Sequence, residues 1–177
     1  PDGIDAISAR VRTAFALALG APLELIGHRA GDYRRYPLGL HTPPGRRDVV
    51  DSIDAAFDEL GLHAVEIDVH LFDGHLQVMH DHPHGLVHGD TRDYLHRNRL
   101  GMVLGHFLRR SDWHSRTLYI EVKTLHGRVL SSHDIRYLHA LAHEVSAHVG
   151  NDPQQRARVA FASFSLAAMQ HLSSLLD

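Results

Sequence analysis

The fold of this chain is decided by residues 65–80, which read Val-Glu-Ile-Asp-Val-His-Leu-Phe-Asp-Gly-His-Leu-Gln-Val-Met-His. In the first half, Glu66, Asp68 and His70 alternate with apolar residues. This period of two predicts a β-strand with polar side chains on one face and apolar side chains on the other. Two carboxylates so close together repel each other unless a cation lies between them. The strand is therefore the first candidate for a functional site.

The rest of the chain alternates between helical and strand periods. Helices are predicted at residues 4–19, 48–60, 94–110, 132–149 and 166–176, and further strands at residues 23–26, 76–79, 117–124 and 159–164. Strands separated by helices predict an α/β fold with a parallel sheet and right-handed crossovers. The connection through Asp73-Gly74 has no clear helix, so a hairpin stays open there.

Composition limits the possible functions. The 177 residues are 44% hydrophobic, enough for one domain over residues 1–177. A net charge of −3 gives no basis for nucleic-acid binding. No apolar run approaches the roughly 18 residues of a transmembrane helix. The chain has no cysteine, which excludes disulfides and thiolate metal sites.

Three acids on two predicted strands are candidate metal ligands. Glu66 and Asp68 share a face of the first strand, and Glu121 lies on the predicted strand at residues 117–124. Carboxylate oxygens are hard ligands that suit magnesium, calcium or manganese and leave positions for water and substrate oxygens. We therefore expect Glu66, Asp68 and Glu121 to hold a divalent cation.

Two histidines and two cations complete the predicted site. His28 and His80 follow predicted strands, and their ordinary pKa near neutrality suits a general base and a general acid. Arg29 and Lys123, the only lysine of the chain, add positive charge. That charge indicates an anionic substrate such as a phosphate.

Five motifs in this order resemble the glycerophosphodiester phosphodiesterases, and more distantly the sphingomyelinase D-type phospholipases. They are Gly27-His28-Arg29-Ala30-Gly31, Val65-Glu66-Ile67-Asp68-Val69, Asp73-Gly74, Val78-Met79-His80-Asp81 and Ile120-Glu121-Val122-Lys123. The resemblance covers about residues 23–172. It implies a TIM (β/α)₈ barrel, of which only the first five βα units are present in this chain.

The resemblance also implies an activity and a role for each site residue. It makes the chain a phosphoric diester hydrolase that cleaves glycerophosphodiesters or lysophospholipid-type diesters, with magnesium or calcium as cofactor. His28 and His80 would form the acid–base pair, and Glu66, Asp68 and Glu121 would hold the metal. Arg29 and Lys123 would contact the phosphate. Where the family has a Pro-Glu-Asn-Thr run, this chain has residues 42–48, which leaves the headgroup open.

Partners, location and alternatives follow from these expectations. An incomplete barrel exposes a strand edge, which predicts self-association to cover it. We expect a cytoplasmic location, with a secreted or periplasmic mature chain as the alternative. Two other functions stay open: a zinc hydrolase built on His80-Asp81-His82-Pro83-His84, and a non-catalytic binding protein on a degenerate barrel.

Overall fold

A mixed β-sheet forms the centre of the structure, a computed structural model that describes residues 26–27, 49–79, 95–124 and 129–176. Its strands are β1 (Ile26–Gly27), β2 (Ala64–Phe72), β3 (His75–Val78), β4 (Thr117–Val122) and β5 (Val159–Ala162). The spatial order is β1-β2-β4-β5, with each neighbouring pair parallel. β3 pairs antiparallel with the end of β2. The predicted α/β class with a largely parallel sheet is therefore correct.

The predicted TIM barrel is wrong for the part of the chain that the structure describes. β1 and β5 lie at opposite ends of the strand order and do not pair with each other, so the sheet is open. Closure of such a barrel requires eight tilted and staggered strands. The described residues contribute five, and β1 has only two residues. These strands form an open, twisted sheet with two edges.

The connection between β2 and β3 is a tight hairpin, which confirms the alternative left open by the sequence. Asp73 and Gly74 have φ angles of 49° and 72°. Positive φ at both residues of a two-residue loop is the signature of a type I′ turn, and Asp-Gly is one of its preferred sequences. The register of Val69 with Val78 brings the end of β3 back beside the middle of β2.

The helices are α1 (Val49–Asp54, continued as a π-helical turn over Ala55–Glu59), α2 (Leu100–Arg109), α3 (Ser132–Val149), α4 (Pro153–Arg156) and α5 (Leu166–Leu176). The helices predicted at residues 132–149 and 166–176 are confirmed. Ser131 and Asp134 form a capping box at the start of α3, and Gly150, with φ of 54°, follows its end. None of the helices in the described ranges is long and apolar enough to cross a membrane.

One helix begins later than predicted, and one short helix was not predicted. The long helix predicted at residues 94–110 is interrupted at Arg99, which is extended (φ −66°, ψ 141°) and forms a β-bridge with Gln77. α2 therefore begins at Leu100. The short α4 was not predicted, although the side chain of Asp152 caps it and Pro153 occupies its first turn. The helix predicted at residues 4–19 lies outside the described residues.

The hydrophobic core lies on one face of the sheet. Val65, Ile67 and Val69 of β2 are buried there, at most 1% exposed. The other buried members come from β4 and from the helices, among them Leu118, Ile120, Phe57, Leu100, Leu104, Phe107, Leu138, Leu141 and Leu172. Because side chains alternate along a strand, this packing directs Glu66, Asp68 and Glu121 to the opposite face.

Two arginines pack together at the end of the sheet where β4 begins. The guanidinium groups of Arg110 and Arg116 each lie 5.2 Å from the ring centroid of Phe57. Asp112 accepts hydrogen bonds from both, at 2.9 Å and 2.8 Å. Burial raises the pKa of Asp112, but the two guanidinium groups outweigh that effect and hold its pKa below the usual value.

This lowered pKa predicts a pH-dependent contribution to stability. Asp112→Asn should lower the free energy of unfolding by about 1 kcal/mol at neutral pH, because two charge-assisted hydrogen bonds are weakened. The difference should disappear as pH falls below about 3.9 and through the lowered pKa of Asp112, where the wild-type carboxyl is protonated as well. Urea unfolding across that range measures it. The exposed Asp51→Asn is the control, and a difference that stays constant with pH would contradict the assignment.

Candidate metal and anion site

Three carboxylates meet on the polar face of the sheet. In the parallel register of β2 and β4, Asp68 lies directly beside Glu121, and Glu66 lies two residues before Asp68 on the same face. One ligand oxygen from each of Glu66, Asp68 and Glu121 lies within 4.8 Å of the other two. Among the described residues, these three acids form a group that could hold a metal ion, as the sequence predicted.

All three acids are buried. Glu66 is 9% exposed, Asp68 2% and Glu121 8%. Burial of an ionised carboxylate is costly unless a cation or hydrogen-bond donors surround it, and like charges at this distance add repulsion. The arrangement therefore favours a positive charge among the carboxylates.

Lys123 supplies one such charge from within the chain. Its Nζ donates a hydrogen bond to Oε1 of Glu121 at 2.5 Å. It also lies 2.7 Å from Oδ1 of Asp68, where the contact is an ion pair without a well-directed hydrogen bond. Burial lowers the pKa of Lys123, but Asp68 and Glu121 outweigh it, so the pKa lies above its usual value and the ammonium stays charged.

Tyr137 ties α3 to the same end of the sheet. Its buried hydroxyl donates a hydrogen bond to the carbonyl oxygen of Val69, one residue beyond Asp68, at 2.7 Å. Burial raises the pKa of Tyr137 well above its usual value, and the charges of Glu121 and Asp68 raise it further. The phenol is therefore a neutral donor that holds the β2 backbone next to the carboxylates.

A cavity of about 490 Å³ opens beside Glu121. Its lining includes Glu121, Lys123, His70, His133, Ser163 and Phe164. On β5, Ala162 lies in register with Glu121, so no large side chain of that strand fills the space beside it. The cavity is large enough for a small organic anion, with the lysine ammonium in its wall.

The loop that follows β5 is fixed to β4 by a serine. The hydroxyl of Ser163 donates to the carbonyl oxygen of Val122 at 3.0 Å and accepts from the amide of Ser165 at 3.1 Å. The hydroxyl of Ser165 in turn accepts from the amide of Ala168 in the first turn of α5. Both serines thus position the cavity wall through hydrogen bonds that are already made.

The structure brings together four of the seven residues proposed from the sequence. Glu66, Asp68, Glu121 and Lys123 lie in one cluster. His28, Arg29 and His80 lie outside the described residues. The described chain ends just before His80 at Met79, whose amide donates to the carbonyl oxygen of Asp68 at 2.9 Å.

Sequence reasoning missed three residues at this site. His70 was noted on the acidic face but left without a role, and it lines the cavity. His133 and Tyr137 both come from α3, and only the packing of α3 against the strand ends places them here. A helical period identifies the buried face of α3 but not the strand end that this face meets.

Comparison of the chain with models of known protein families, with curated proteins and with solved structures found no match. The resemblance to the glycerophosphodiester phosphodiesterases therefore rests on the five motifs alone.

Lys123 is predicted to stabilise the carboxylate cluster when no divalent cation is bound. In the presence of chelator, Lys123→Met should lower the free energy of unfolding by about 1–3 kcal/mol. That is below the cost of breaking a fully buried pair, because a quarter of the lysine side chain (25%) is exposed. Excess calcium or magnesium should recover part of the loss by supplying the missing charge.

Chemical denaturation with chelator and with each cation measures both effects. Arg136→Met, which removes an exposed cation from α3, is the matched control and should change neither value by more than about 0.5 kcal/mol. Equal stability of Lys123→Met and the wild type in chelator would show that the lysine does not neutralise the cluster.

Proposed function

We propose that this chain is a divalent-cation-dependent phosphodiesterase that acts on small diesters of the glycerophosphodiester or lysophospholipid type. The observation that carries the proposal is the meeting of Glu66, Asp68 and Glu121 within 4.8 Å on two adjacent strands. A lysine ammonium touches two of these acids and also lines a cavity. Cation and anion binding side by side is the arrangement that phosphoryl transfer needs.

The carboxylates fit a hard divalent cation. Oxygens on opposite sides of calcium are about 4.6–5.2 Å apart, and those on opposite sides of magnesium about 4.0–4.2 Å. The three ligand oxygens lie within 4.8 Å of one another, which is compatible with their binding one such cation. The buried Oδ1 of Asp68, which has no well-directed hydrogen-bond donor, would gain a ligand bond.

A bound cation would polarise the phosphoryl oxygens and lower the cost of the charge that develops on them. The residues of the chain would bind the phosphate, position the carboxylates and transfer protons. Lys123 faces the cavity and offers its ammonium to a phosphate oxygen, and its raised pKa keeps that group charged at neutral pH. Tyr137 holds the β2 backbone at Val69, next to Asp68, in place. By the family resemblance, His28 and His80 transfer the protons.

An assay series with chelator tests the proposal. Bis-p-nitrophenyl phosphate, glycerophosphocholine and lysophosphatidylcholine would each be incubated with the full chain, with chelator or with magnesium, calcium or manganese. Activity should require the cation. Asp68→Asn and Glu121→Gln should lower kcat/KM at least about 100-fold, because each removes a charged ligand. Glu144→Gln, which changes a half-buried acid on α3, is the control and should retain activity.

The acid–base roles need a separate variant and a product analysis. His80→Ala should reduce kcat about 100-fold or more and leave cation binding, measured by calorimetry, unchanged. Phosphorus NMR of the products separates hydrolysis from attack by a substrate hydroxyl, since the latter gives a cyclic phosphate. Activity that survives both chelation and His80→Ala would exclude the mechanism. If no diester is cleaved and no cation binds, the non-catalytic binding protein becomes the better interpretation.

A further inference from the structure

A group of histidines lies on the helices, away from the carboxylates. The chain has 18 histidines, and two of them, His139 and His171, are in ring contact where α3 packs against α5. His139 and His143 are exposed and stand four residues apart on α3. His171 lies on α5, and its ring contacts that of His139. None of the three belongs to the site of the proposed phosphodiesterase.

The spacing on α3 is that of a helical chelate. Residues four apart on a helix have Cβ atoms about 5–6 Å from each other, on the same face. Two histidines at this spacing can bind one zinc ion from a single helix. His139 and His143 are exposed, so their rings can rotate toward a common ion at little cost.

The separation of the rings across the helix interface is compatible with two imidazoles on one ion. Zinc lies about 2.0–2.1 Å from a histidine nitrogen, and therefore about 3.2 Å from the ring centroid. Angles near the tetrahedral value then place two centroids about 5.2–5.5 Å apart. The centroids of His139 and His171 are 5.5 Å apart, with an angle of 72° between the ring planes.

A buried nitrogen gives a further, independent reason for a ligand. Nε2 of His171 is buried and has no hydrogen-bond partner. Leaving a polar group in this state is costly, so its burial calls for an explanation. Coordination of a metal satisfies a neutral imidazole nitrogen as completely as a hydrogen bond does.

We propose that His139, His143 and His171 form a zinc site that joins α3 to the last helix of the described chain. Three imidazole ligands suit zinc better than calcium or magnesium, which take oxygen ligands. The fourth position faces solvent, because His139 and His143 are exposed. Binding would stabilise the packing of α5, which contributes Ala168 and Leu172 to the core.

Zinc binding to the full-length chain tests the site. Equilibrium dialysis against a zinc buffer would measure the zinc bound per chain in the wild type, His139→Asn, His171→Asn and the double variant. Each single variant should lose the same one equivalent, and the double variant should lose no more, because the residues share one ion. His143→Asn should lower the affinity for that zinc ion at least about tenfold. Loss of a residue that only supports a metal ligand already has an effect of this size.

Two controls separate this site from others on the chain. His148→Asn removes a histidine from another side of α3, near α2, and should keep the equivalent. Asp68→Asn alters the carboxylate cluster. In a chain that carries Asp68→Asn, His171→Asn should cause the same loss of bound zinc as it does in the wild type. Zinc should raise the melting temperature of the wild type by about 5–10 °C at a hundredfold excess over Kd, and should not do so for His139→Asn.

Several results would overturn the proposal. One is retention of all zinc equivalents by His139→Asn and His171→Asn, and another is loss of two equivalents by the double variant. Unchanged affinity in His143→Asn would also overturn the three-histidine assignment. Melting of the zinc-free variants shows whether they fold, and the exposed position of His139 makes its variant the most reliable of the set.

Discussion

The structure depends on the register between β2 and β4. With Asp68 beside Glu121, the apolar residues Ile67 and Ile120 also lie side by side, and both are buried. Because the side-chain period of a strand is two, a slip of one residue on either strand would bring carboxylates into the core and isoleucines to the polar face. The burial of the core therefore sets the geometry of the carboxylates. The packing behind the site therefore fixes which face of the sheet the carboxylates occupy.

The core must also offset an electrostatic cost on the opposite face. Three buried acids within 4.8 Å repel one another, and burying their charges lowers the stability of the fold. Lys123 reduces this cost through its contacts with Asp68 and Glu121. Tyr137 adds a buried hydrogen bond to the adjoining backbone. A fold that keeps such a cluster at the expense of stability is typical of a functional site, where charges are concentrated for binding or chemistry.

Local patterns predicted most of the elements but not whether the sheet closes into a barrel. The alternation of Glu66 and Asp68 with valine and isoleucine located β2, and the helical period followed by Gly150 located α3. The start of α2 was misplaced because Arg99 pairs with Gln77, a long-range contact that overrides helical propensity. Barrel closure was expected from the family resemblance alone. The period of a strand carries no information on whether two edge strands pair. The carboxylates and Lys123 were found because alternation fixes their faces, whereas Tyr137 required the docking of α3.

The two ends of the sheet differ in how their charges are arranged. At the end of the sheet where β4 begins, Arg110 and Arg116 both pair with Asp112, Arg110 also pairs with two further aspartates, and Arg116 donates to the carbonyl oxygen of Leu62 at 2.6 Å. Each carboxylate there is therefore in contact with a guanidinium group. Toward the carboxyl end of the parallel pairing between β2 and β4, three acids lie together and one lysine contacts two of them, so negative charge is concentrated there. Open α/β sheets bind ligands at the carboxyl ends of their strands, and the asymmetry of charge in this chain follows that rule.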